Sequence, residues 1–280
     1  GGKRPNSSLA LAQLKRWEAL GGEIEEDPYM ARKADCVVDG LFGIGLTKPI
    51  TGEYLDAVLW FNERQALKIS LDVPSGLNHL TGRWIASYPG CHADITLSFL
   101  SAKAGLYMNE GADAAGEIVV DNLGVSIPLS NLTVVSPDEL QHVLRPRSRN
   151  SHKGSYGHVA VVGGADGMIG AALLAARAAL VSGAGRVTLY PLSEHAPAVD
   201  MLYPELMMGT DPEGFTSAGV IVMGCGMGQS ERAKALVRTA LLSDRPLVLD
   251  ADALNIIAAD IKLQDILLAR QAPSVLTPHP

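Results

Sequence analysis

Three short segments in the first half of the sequence each follow an apolar stretch and carry residues that can bind or react. They read Asp39-Gly-Leu-Phe-Gly43-Ile-Gly45, Asp72-Val-Pro74-Ser75-Gly76 and Ser101-Ala-Lys103-Ala-Gly105. An aspartate at the end of an apolar strand is costly to bury unless it accepts hydrogen bonds or faces a ligand. Two such carboxylates, with a serine hydroxyl and loop carbonyls, suit a hard cation or a ribose. A second interpretation stays open, in which Asp39 and Asp72 cap following helices and the glycines only turn loops.

A glycine-rich segment in the second half looks like a dinucleotide-binding loop but lacks its spacing. It reads Gly163-Gly164-Ala-Asp-Gly167-Met-Ile-Gly170-Ala171. This is not G-x-G-x-x-G, and the ribose-binding acid expected about 20 positions later is missing. No Gly-Lys-Ser/Thr follows, which excludes a Walker loop. The segment is either a turn where a ligand approaches a helix N-terminus, with Gly170 and Ala171 small for that reason, or a place where a helix packs closely on a sheet.

Two later segments also stand at predicted strand ends. They read Gly224-Cys-Gly226-Met-Gly228 and Asp250-Ala-Asp252-Ala-Leu-Asn255. Asp250, Asp252 and Asn255 can orient a hydroxyl, a metal-bound water or a phosphate counter-ion, although Asp252 can equally cap the next helix. His279 lies between two prolines near the end of the sequence. A lone histidine is usually structural, but one that flanking prolines hold in place suits a binding site.

These residues need secondary structure that brings them to one edge. The apolar spacing predicts helices over residues 8–20 and 53–63 and strands over 35–41, 67–73, 91–99 and 117–120 in the first half. A second series of strands and helices begins at His158, with later strands over 220–223 and 246–250. Strands that alternate with helices indicate an α/β fold with parallel sheets and right-handed crossovers. Ligands of such sheets bind at the carboxyl ends of the strands.

Length and composition limit the possible classes of protein. The 280 residues suit one large or two ordinary domains, and a polar, proline-containing stretch over 128–153 places a boundary near residue 130.

Hydrophobic residues make up 47% and the net charge is −7 without a cationic stripe, so we expect no nucleic-acid partner. No apolar stretch reaches the ~18 residues of a membrane span, and we expect neither a signal peptide nor a membrane partner. Three scattered cysteines favour a cytoplasmic location. Because the sequence starts at Gly1 without Met and stops at Pro280 after an apolar run, we expect both ends to be truncated.

Taken in order, these segments resemble the bifunctional NAD(P)H-hydrate repair enzymes, which fuse an NAD(P)HX epimerase domain to an ADP-dependent (S)-NAD(P)HX dehydratase domain. The epimerase-like segments are VVDGLFGIGL, LDVPSGL and LSFLSAKAGL. The dehydratase-like segments are SHKGSYGHVAVVGG, GMIGAALLAARAALVSGAGRV, YPELM, GCGMGQ, LDADALN and TPHP. Each is weak alone, but their joint order is specific and covers essentially the whole chain. The resemblance implies a Rossmann-like epimerase domain over residues 1–130 and a ribokinase-like dehydratase domain over 131–280.

The resemblance also implies roles for individual residues. It implies a K⁺ ion at Asp39 and Ser75, and Asp72 and Lys103 as the catalytic pair. The NADPHX contacts that it implies in the first domain are made by Asp72 and by Gly43, Ile44, Gly45, Leu46, Thr47, Lys48 and Pro49. The substrate contacts that it implies in the second domain are made by Gly170, Ala171, Gly224, Gly226, Asp250, Asp252, Asn255 and His279.

The chain departs from the family pattern in three places. The family's Asn-Asn-Gly-Gly-Asp loop, its Lys-Gly nucleotide-binding segment and its Gly-x-Gly-Asp motif are not in this sequence, so we expect both domains to be incomplete. The resemblance implies NADHX or NADPHX as substrate, ADP or ATP as phosphoryl donor, Mg²⁺ and K⁺ as ions, and a homo-oligomer. Two other functions stay open: a ribokinase-like small-molecule kinase with an extra α/β domain, and a non-catalytic nucleotide-binding protein.

The implied chemistry starts from a nicotinamide ring to which water has added, leaving a hydroxyl on the carbon beside the ring nitrogen. That nitrogen can expel the hydroxyl and take it back on the other face, which is epimerisation. A carboxylate such as Asp72 is expected to assist as acid or base. Dehydration needs a better leaving group, and a kinase-like domain can supply one by phosphorylating the hydroxyl from ADP.

Overall fold

The computed structural model of the protein describes residues 7–24, 34–127, 132–141, 146–211 and 214–279. The chain divides into two compact units, the first extending to Ser136 and the second running from Pro137 to His279. Each unit is built on one parallel sheet with helices, so the predicted α/β class is confirmed. The boundary predicted near residue 130 lies outside the described residues and stays a prediction.

The first unit contains a four-stranded parallel sheet in the order β1-β2-β3-β4. Its elements are α1 (Ser8–Ala19), β1 (Cys36–Asp39), α2 (Glu53–Glu63), β2 (Leu67–Leu71), β3 (Ile95–Phe99), α3 (Gly111–Ala114) and β4 (Glu117–Asp121). The side chain of Ser7 caps α1 by accepting from the N–H of Ala10 at 3.1 Å, as a serine at that position favours. Because all four strands run the same way, their carboxyl ends lie at one edge of the sheet.

One predicted strand of this unit was wrong over part of its length. β3 begins at Ile95 and not at residue 91. The N–H groups of Cys91 and Ala93 donate to carbonyls of a loop and of α3, not to a neighbouring strand. The strands predicted over residues 35–41 and 67–73 also extended too far, since β1 ends at Asp39 and β2 at Leu71.

The strand register of the first unit collects small polar side chains on one buried face. Asp39, Ser70, Thr96 and Ser98 share this face, and each is at most 2% exposed. An apolar cluster that joins Val37 of β1 to Val58 and Phe61 of α2 covers part of the same side. Because buried hydroxyl and carboxyl groups must be hydrogen-bonded, this face holds a polar network beneath the carboxyl edge.

The second unit contains a six-stranded parallel sheet in the order β10-β9-β8-β5-β6-β7. Its elements are α4 (Pro137–Leu140), β5 (His158–Gly163), α5 (Ile169–Val181), β6 (Arg186–Pro191), β7 (Met207–Met208), β8 (Val220–Met223), α6 (Glu231–Leu242), β9 (Leu247–Asp250), α7 (Ala251–Ala258), α8 (Ile261–Ala269) and β10 (Ser274–Thr277). From β5 the chain goes outward to β6 and β7 and then returns to place β8 on the other side. The loops after β5 and β8 therefore lie side by side at a topological switch point, where ligands of open α/β sheets bind.

Helices pack on both faces of this sheet. Ala172 and Ala176 of α5 are fully buried against Val161, Val187 and Leu189 on one face. Side chains of α6 and α7 form the second and larger cluster on the other face with the strands β8 and β9. The small side chains of α5 let the helix lie close to the sheet, which fits the alanine-rich pattern of its sequence.

The turn after α5 ends the helix at a glycine. Gly183 has a φ of 106° and donates to the carbonyl of Leu180 at 2.9 Å, and Ala184 donates to Ala179 at 3.1 Å. These two bonds form a Schellman motif, in which glycine takes the left-handed position at low cost. Among the residues that the structure describes, no helix has both the length and the apolar character needed to cross a bilayer.

Candidate functional site

Asp39, at the end of β1, is 2% exposed and its carboxylate accepts four hydrogen bonds. Oδ2 accepts from the hydroxyl of Ser70 at 3.0 Å and from the N–H of Ser75 at 2.8 Å. Oδ1 accepts from the hydroxyl of Ser75 at 2.6 Å and from the N–H of Leu41 at 3.2 Å. The carboxylate therefore ties β1 to the loop after β2. The alternative in which Asp39 caps a helix is wrong.

Ser75 brings a second set of oxygen atoms to the same point. Its hydroxyl accepts from the N–H of Phe42 at 2.9 Å and lies 3.2 Å from the Phe42 carbonyl oxygen. Asp39 and Ser75, which the resemblance pairs, are thus in direct contact. Carboxylate, hydroxyl and carbonyl oxygens are ligands of hard cations. Within the described ranges, however, no three His, Cys, Asp or Glu side chains lie close enough to hold a metal ion.

Cys91 lies against this buried carboxylate and is itself fully buried. Burial raises the pKa of the Cys91 thiol far above its ordinary range, and the negative charge of Asp39 raises it further. The thiol stays protonated at neutral pH, so it cannot act as a nucleophile. Cys91 is therefore a core residue.

Asp72 is the first residue after β2 and faces the carboxyl edge with Lys103. Its backbone has a left-handed φ of 69°, which is unusual for a residue with a side chain. Oδ1 accepts from the ammonium group of Lys103 and from the N–H of Phe99 at 3.3 Å. Oδ2 points toward the loop after β1, because a Cβ added at Gly43 would lie 3.4 Å from it. The structure therefore brings Asp72, Lys103 and Gly43 together, and Asp72 caps no helix.

The rest of the predicted substrate loop continues from Gly43 along the surface. The N–H of Leu46 donates to the Gly43 carbonyl at 3.2 Å, which closes a turn, and the Leu46 side chain packs on the apolar cluster of α2. The other predicted contact residues of this loop are all exposed: Ile44, Gly45, Thr47, Lys48 and Pro49. The loop thus offers accessible backbone beside the Asp72 carboxylate.

In the second unit the glycines at the switch point let two loops approach each other closely. The N–H groups of Gly164 and Ala165 donate to the carbonyls of Cys225 and Gly226 at 3.1 and 2.7 Å. A Cβ at Gly226 would lie 2.7 Å from the Met168 carbonyl oxygen, closer than real Cβ atoms come. Close packing therefore explains these glycines.

Gly170 differs from the switch-point glycines. It is exposed in the first turn of α5, and a Cβ added there would meet nothing within 4 Å. Gly224 is buried, and a side chain there would collide with the carbonyl of Asp250. Of the glycines predicted to contact substrate in this unit, only Gly170 has free space where a side chain would stand. Ala171 beside it is exposed as well.

Asp250, at the end of β9, is oriented by donors from two neighbouring strands. Cys225, after β8, donates its thiol to Oδ2 at 3.4 Å, and the hydroxyl of Thr277 donates to Oδ1 at 2.8 Å. Burial raises the pKa of the Cys225 thiol to about 11, and the Asp250 hydrogen bond contributes to the rise. Asp252 accepts from the N–H of Gly228 at 2.8 Å. Asp252 therefore fastens the loop after β8, and the alternative in which it caps the next helix is wrong.

Two predicted residues of this unit stand apart from the Asp250 group. Asn255 and His279 are exposed. Over the ranges that the structure describes, neither side chain makes a hydrogen bond, so the structure does not join them to Asp250. Thr277 and Cys225 are contacts that sequence reasoning missed. Pairing of parallel strands would have indicated Thr277, because it is the register partner of Asp250.

Comparison with known proteins identifies each half of the chain. A family model described as "YjeF-related protein N-terminus" matches residues 2–105, and one described as "NAD(P)H-hydrate dehydratase" matches residues 159–280. A "Bifunctional NAD(P)H-hydrate repair enzyme Nnr" of Coxiella burnetii is 36% identical over 89% of this chain and 51% of its own length. The protein of the same description from Escherichia coli is 32% identical over 99% of this chain and 54% of its own length. The chain thus spans about half the length of these curated relatives.

Solved structures resemble the chain over part of its length. A crystal structure described as an ADP/ATP-dependent NAD(P)H-hydrate dehydratase from Bacillus subtilis, co-crystallised with ATP and Mg²⁺, is 28% identical. It covers 54% of this chain and 55% of its own, with a TM-score of 0.42.

Proposed function

Because this chain belongs to the family of bifunctional NAD(P)H-hydrate repair enzymes, we propose that it takes part in the repair of hydrated nicotinamide cofactors. In this proposal the first unit epimerises (R)- and (S)-NAD(P)HX. The second unit binds (S)-NAD(P)HX for dehydration to NAD(P)H with ADP or ATP. Both activities are proposed for the whole protein, because the curated relatives are about twice as long as this chain.

The observation that carries the proposal is the placement of Asp72 at the carboxyl edge of the first sheet. One carboxylate oxygen is held by Lys103, and the other faces the loop that begins at Gly43. The side chains of Asp72 and Lys103 are 21% and 12% exposed, so the pair is enclosed yet reachable. A carboxyl group in this position can give a proton to the hydroxyl as the ring nitrogen expels it as water, and the carboxylate that results can take a proton back from the water that adds to the ring. The charge of Lys103 compensates that of Asp72.

The loop from Gly43 to Pro49 would bind the nucleotide in this proposal. Its exposed backbone stands beside Asp72, and glycine at position 43 leaves the space in front of Oδ2 open. A substrate ring seated there would have its hydroxyl within reach of the carboxylate. The lack of a side chain at Gly43 thus serves access to the reactive group.

K⁺ forms part of the proposal as an ion beneath this loop. The oxygens of Asp39 and Ser75, with the carbonyl of Phe42, fit a hard cation in kind. Each oxygen of Asp39 already accepts two hydrogen bonds, so the open positions are on Ser75 and on the Phe42 carbonyl. When bound, the ion would supply a positive charge that attracts substrate phosphate groups.

In the second unit we assign substrate binding to residues around the switch point. Those assigned are Gly170, Ala171, Gly224, Gly226, Asp250, Asp252, Asn255 and His279. Gly170 and Ala171 stand in the exposed first turn of α5, where N–H groups and the helix dipole favour an anion. Phosphorylation from ADP or ATP would turn the substrate hydroxyl into a leaving group. Mg²⁺ would act together with the phosphate groups of ADP or ATP in this step.

We further propose a cytoplasmic homo-oligomer without nucleic-acid or membrane partners. The net charge of −7 disfavours nucleic acid, and the three cysteines are free, as expected in a reducing compartment. Exposed apolar side chains such as Met201 and Leu202, at 88% and 71%, offer surface for contact between copies.

The test uses full-length protein and purified (R)- and (S)-NADHX, with the two epimers separated chromatographically. We expect wild type to interconvert the epimers without nucleotide and to convert (S)-NADHX to NADH only with ADP or ATP and Mg²⁺. Asp72→Asn should abolish epimerisation and leave nucleotide-dependent dehydration intact. Epimerisation by Asp72→Asn at the wild-type rate would overturn the role of Asp72. Equal dehydration without nucleotide would overturn the second assignment.

A further inference from the structure

We propose that the two oxygens of Asp72 have separate tasks: Oδ1 is held in place by the Phe99 N–H and by the Lys103 ammonium, which Ser98 positions, and Oδ2 alone exchanges protons with the substrate. Lys103 and Ser98 are then positioning residues and not proton donors. This inference rests on the proposed function of the first unit, because it assigns the parts of the same site.

The ammonium group of Lys103 has its full set of partners within the protein. It donates to Oδ1 of Asp72, to the hydroxyl of Ser98 at 3.0 Å and to the carbonyl of Phe99 at 2.7 Å. An ammonium group has three N–H donors, and these three acceptors use them all. A substrate could receive a proton from Lys103 only if one of these bonds broke. Lys103 therefore holds Asp72 in place, and we call its ammonium group with these three acceptors the clamp.

The hydrogen-bond donors to Asp72 are divided unequally between its two carboxylate oxygens. Oδ1 receives both the Lys103 ammonium and the N–H of Phe99, at 3.3 Å for the latter. The Asp72 backbone is fixed as well, since its N–H donates to Leu97 at 2.7 Å while φ is left-handed at 69°. Such a conformation persists in a residue with a side chain only where its surroundings hold it. The result is a carboxylate that presents Oδ2 toward Gly43.

Ser98 fixes the position of the Lys103 ammonium group in the clamp. It lies in β3 on the buried polar face of the sheet and is 0% exposed. Its hydroxyl accepts from Lys103 and donates to the carbonyl of Ser101 at 3.2 Å. Removal of this hydroxyl would leave one ammonium proton without its partner in an enclosed site. The ammonium would then shift, and Oδ1 of Asp72 with it.

The same fold contains a matched control for Ser98. Thr96 lies two residues earlier on the same face, is also 0% exposed, and donates its hydroxyl to the Ala115 carbonyl at 2.7 Å. Its bond has no connection to Lys103 or Asp72. Thr96→Val thus removes a buried hydroxyl without touching the clamp, whereas Ser98→Ala removes one that belongs to it.

The first arm of the experiment measures epimerisation kinetics of full-length variants. We expect Ser98→Ala to lower kcat about tenfold with KM nearly unchanged, because a small displacement of a catalytic group is enough to slow a reaction strongly. Thr96→Val should keep the wild-type kcat even if it lowers the unfolding midpoint. Lys103→Ala should lose about a hundredfold in kcat and recover part of it with added ethylamine. Lys103→Arg should not recover it, because a planar guanidinium cannot reproduce three converging ammonium bonds.

The second arm is independent of activity. In the wild type labelled with nitrogen-15 at lysine, the Lys103 ammonium should give a signal protected from exchange with water. That signal should disappear in Asp72→Asn and shift in Ser98→Ala. If the wild type shows the protected signal but does not epimerise NADHX, the proposed function is overturned, whereas the positioning role of Lys103 is supported. A wild-type kcat in Ser98→Ala, or the lack of a protected Lys103 signal in the wild type, would overturn the clamp.

Discussion

Thr277 and Asp250 occupy paired positions at the ends of β10 and β9, and the Thr277 hydroxyl donates to Oδ1 of Asp250 at 2.8 Å. Cys225 donates to the other oxygen from the opposite side, so donors from two neighbouring strand ends fix one carboxylate. Neither donor carries a charge. These donors orient the Asp250 carboxylate without an ion pair, at the edge where the second unit is proposed to bind its substrate.

Thr277→Val should weaken binding of (S)-NADHX about tenfold, because it removes one hydrogen bond to a charged group while keeping the shape of the side chain. Thr277→Ser should retain near wild-type affinity. Calorimetric titration of the full-length variants with (S)-NADHX checks this. Equal affinities for the valine and serine variants would show that the orientation of Asp250 does not matter for binding.

Gly43→Ala should impair epimerisation without harming the fold. Its added methyl would lie 3.4 Å from Oδ2 of Asp72, an ordinary contact distance within the protein but in the space proposed for the substrate. We expect KM for NADHX to rise about tenfold, or about 1.4 kcal/mol of binding free energy, because the methyl occupies space that the substrate would fill. Gly40→Ala is the control, because its methyl would meet only the Leu71 side chain, at 3.5 Å. A similar rise in KM for both variants would point to a general loop effect.

Gly226→Ala should destabilise the second unit by about 2–4 kcal/mol, because the methyl would overlap the neighbouring loop and the left-handed backbone disfavours alanine. The φ of Gly226 is 58°, and its Cβ would lie 2.7 Å from the Met168 carbonyl oxygen. Gly170→Ala is the contrasting variant, with an expected gain of about 0.5–1 kcal/mol in a helix with free space around it. Urea unfolding of both variants measures these changes in the free energy of unfolding. Equal stabilities would mean that the two loops separate easily.

Asp200 should contribute to stability at neutral pH but not in strong acid. It accepts two hydrogen bonds from Arg177, at 2.7 and 2.8 Å. These bonds, with a further one from Leu202, lower its pKa from 3.8 to about 2. Because the folded-state pKa is below the unfolded one, the contribution is complete above about pH 4 and disappears as the pH falls through about 2.

This pH dependence is tested by measuring the free energy of unfolding of Asp200→Asn and of the wild type at a series of pH values. The stability gap between them should stay constant from neutral pH to about pH 4 and shrink below it. Glu231→Gln is the control, since Glu231 pairs with Lys234 on the surface, where both side chains are at least half exposed. A gap that stayed unchanged down to pH 2 would contradict the coupling of Asp200 to Arg177.

The cluster at the first carboxyl edge was predictable from the sequence. Asp39 and Asp72 each follow an apolar run, and parallel strands end at one edge, so their loops had to meet. The contact between Asp39 and Ser75 also requires β1 and β2 to be neighbours, and only the family resemblance indicated that pair. The same reasoning placed the loop of Gly226 at the ligand edge of the second sheet, but the pairing of β5 with β8 that brings it beside the loop of Gly164 came from the structure.

Features that depend on strand register or on interatomic distance could not be predicted in this way. Ser98 and Thr277 lie inside strands, where hydroxyl residues are common, and only the pairing of neighbours gives them partners. The spacing of the glycines was equally compatible with ligand approach and with close packing. The distance from Gly226 to Met168 decides for packing, while the free space around Gly170 leaves ligand approach open there.

The confinement of Oδ1 of Asp72 has a stereochemical consequence. Epimerisation transfers a hydroxyl from one face of a ring to the other, whereas a single free oxygen stands on only one side of a ring that keeps its pose. The two half-reactions are then unlike: Asp72 assists directly on its own face, and solvent serves the opposite one. The oxygen of the inverted product would thus come from bulk water and not from the hydroxyl that left.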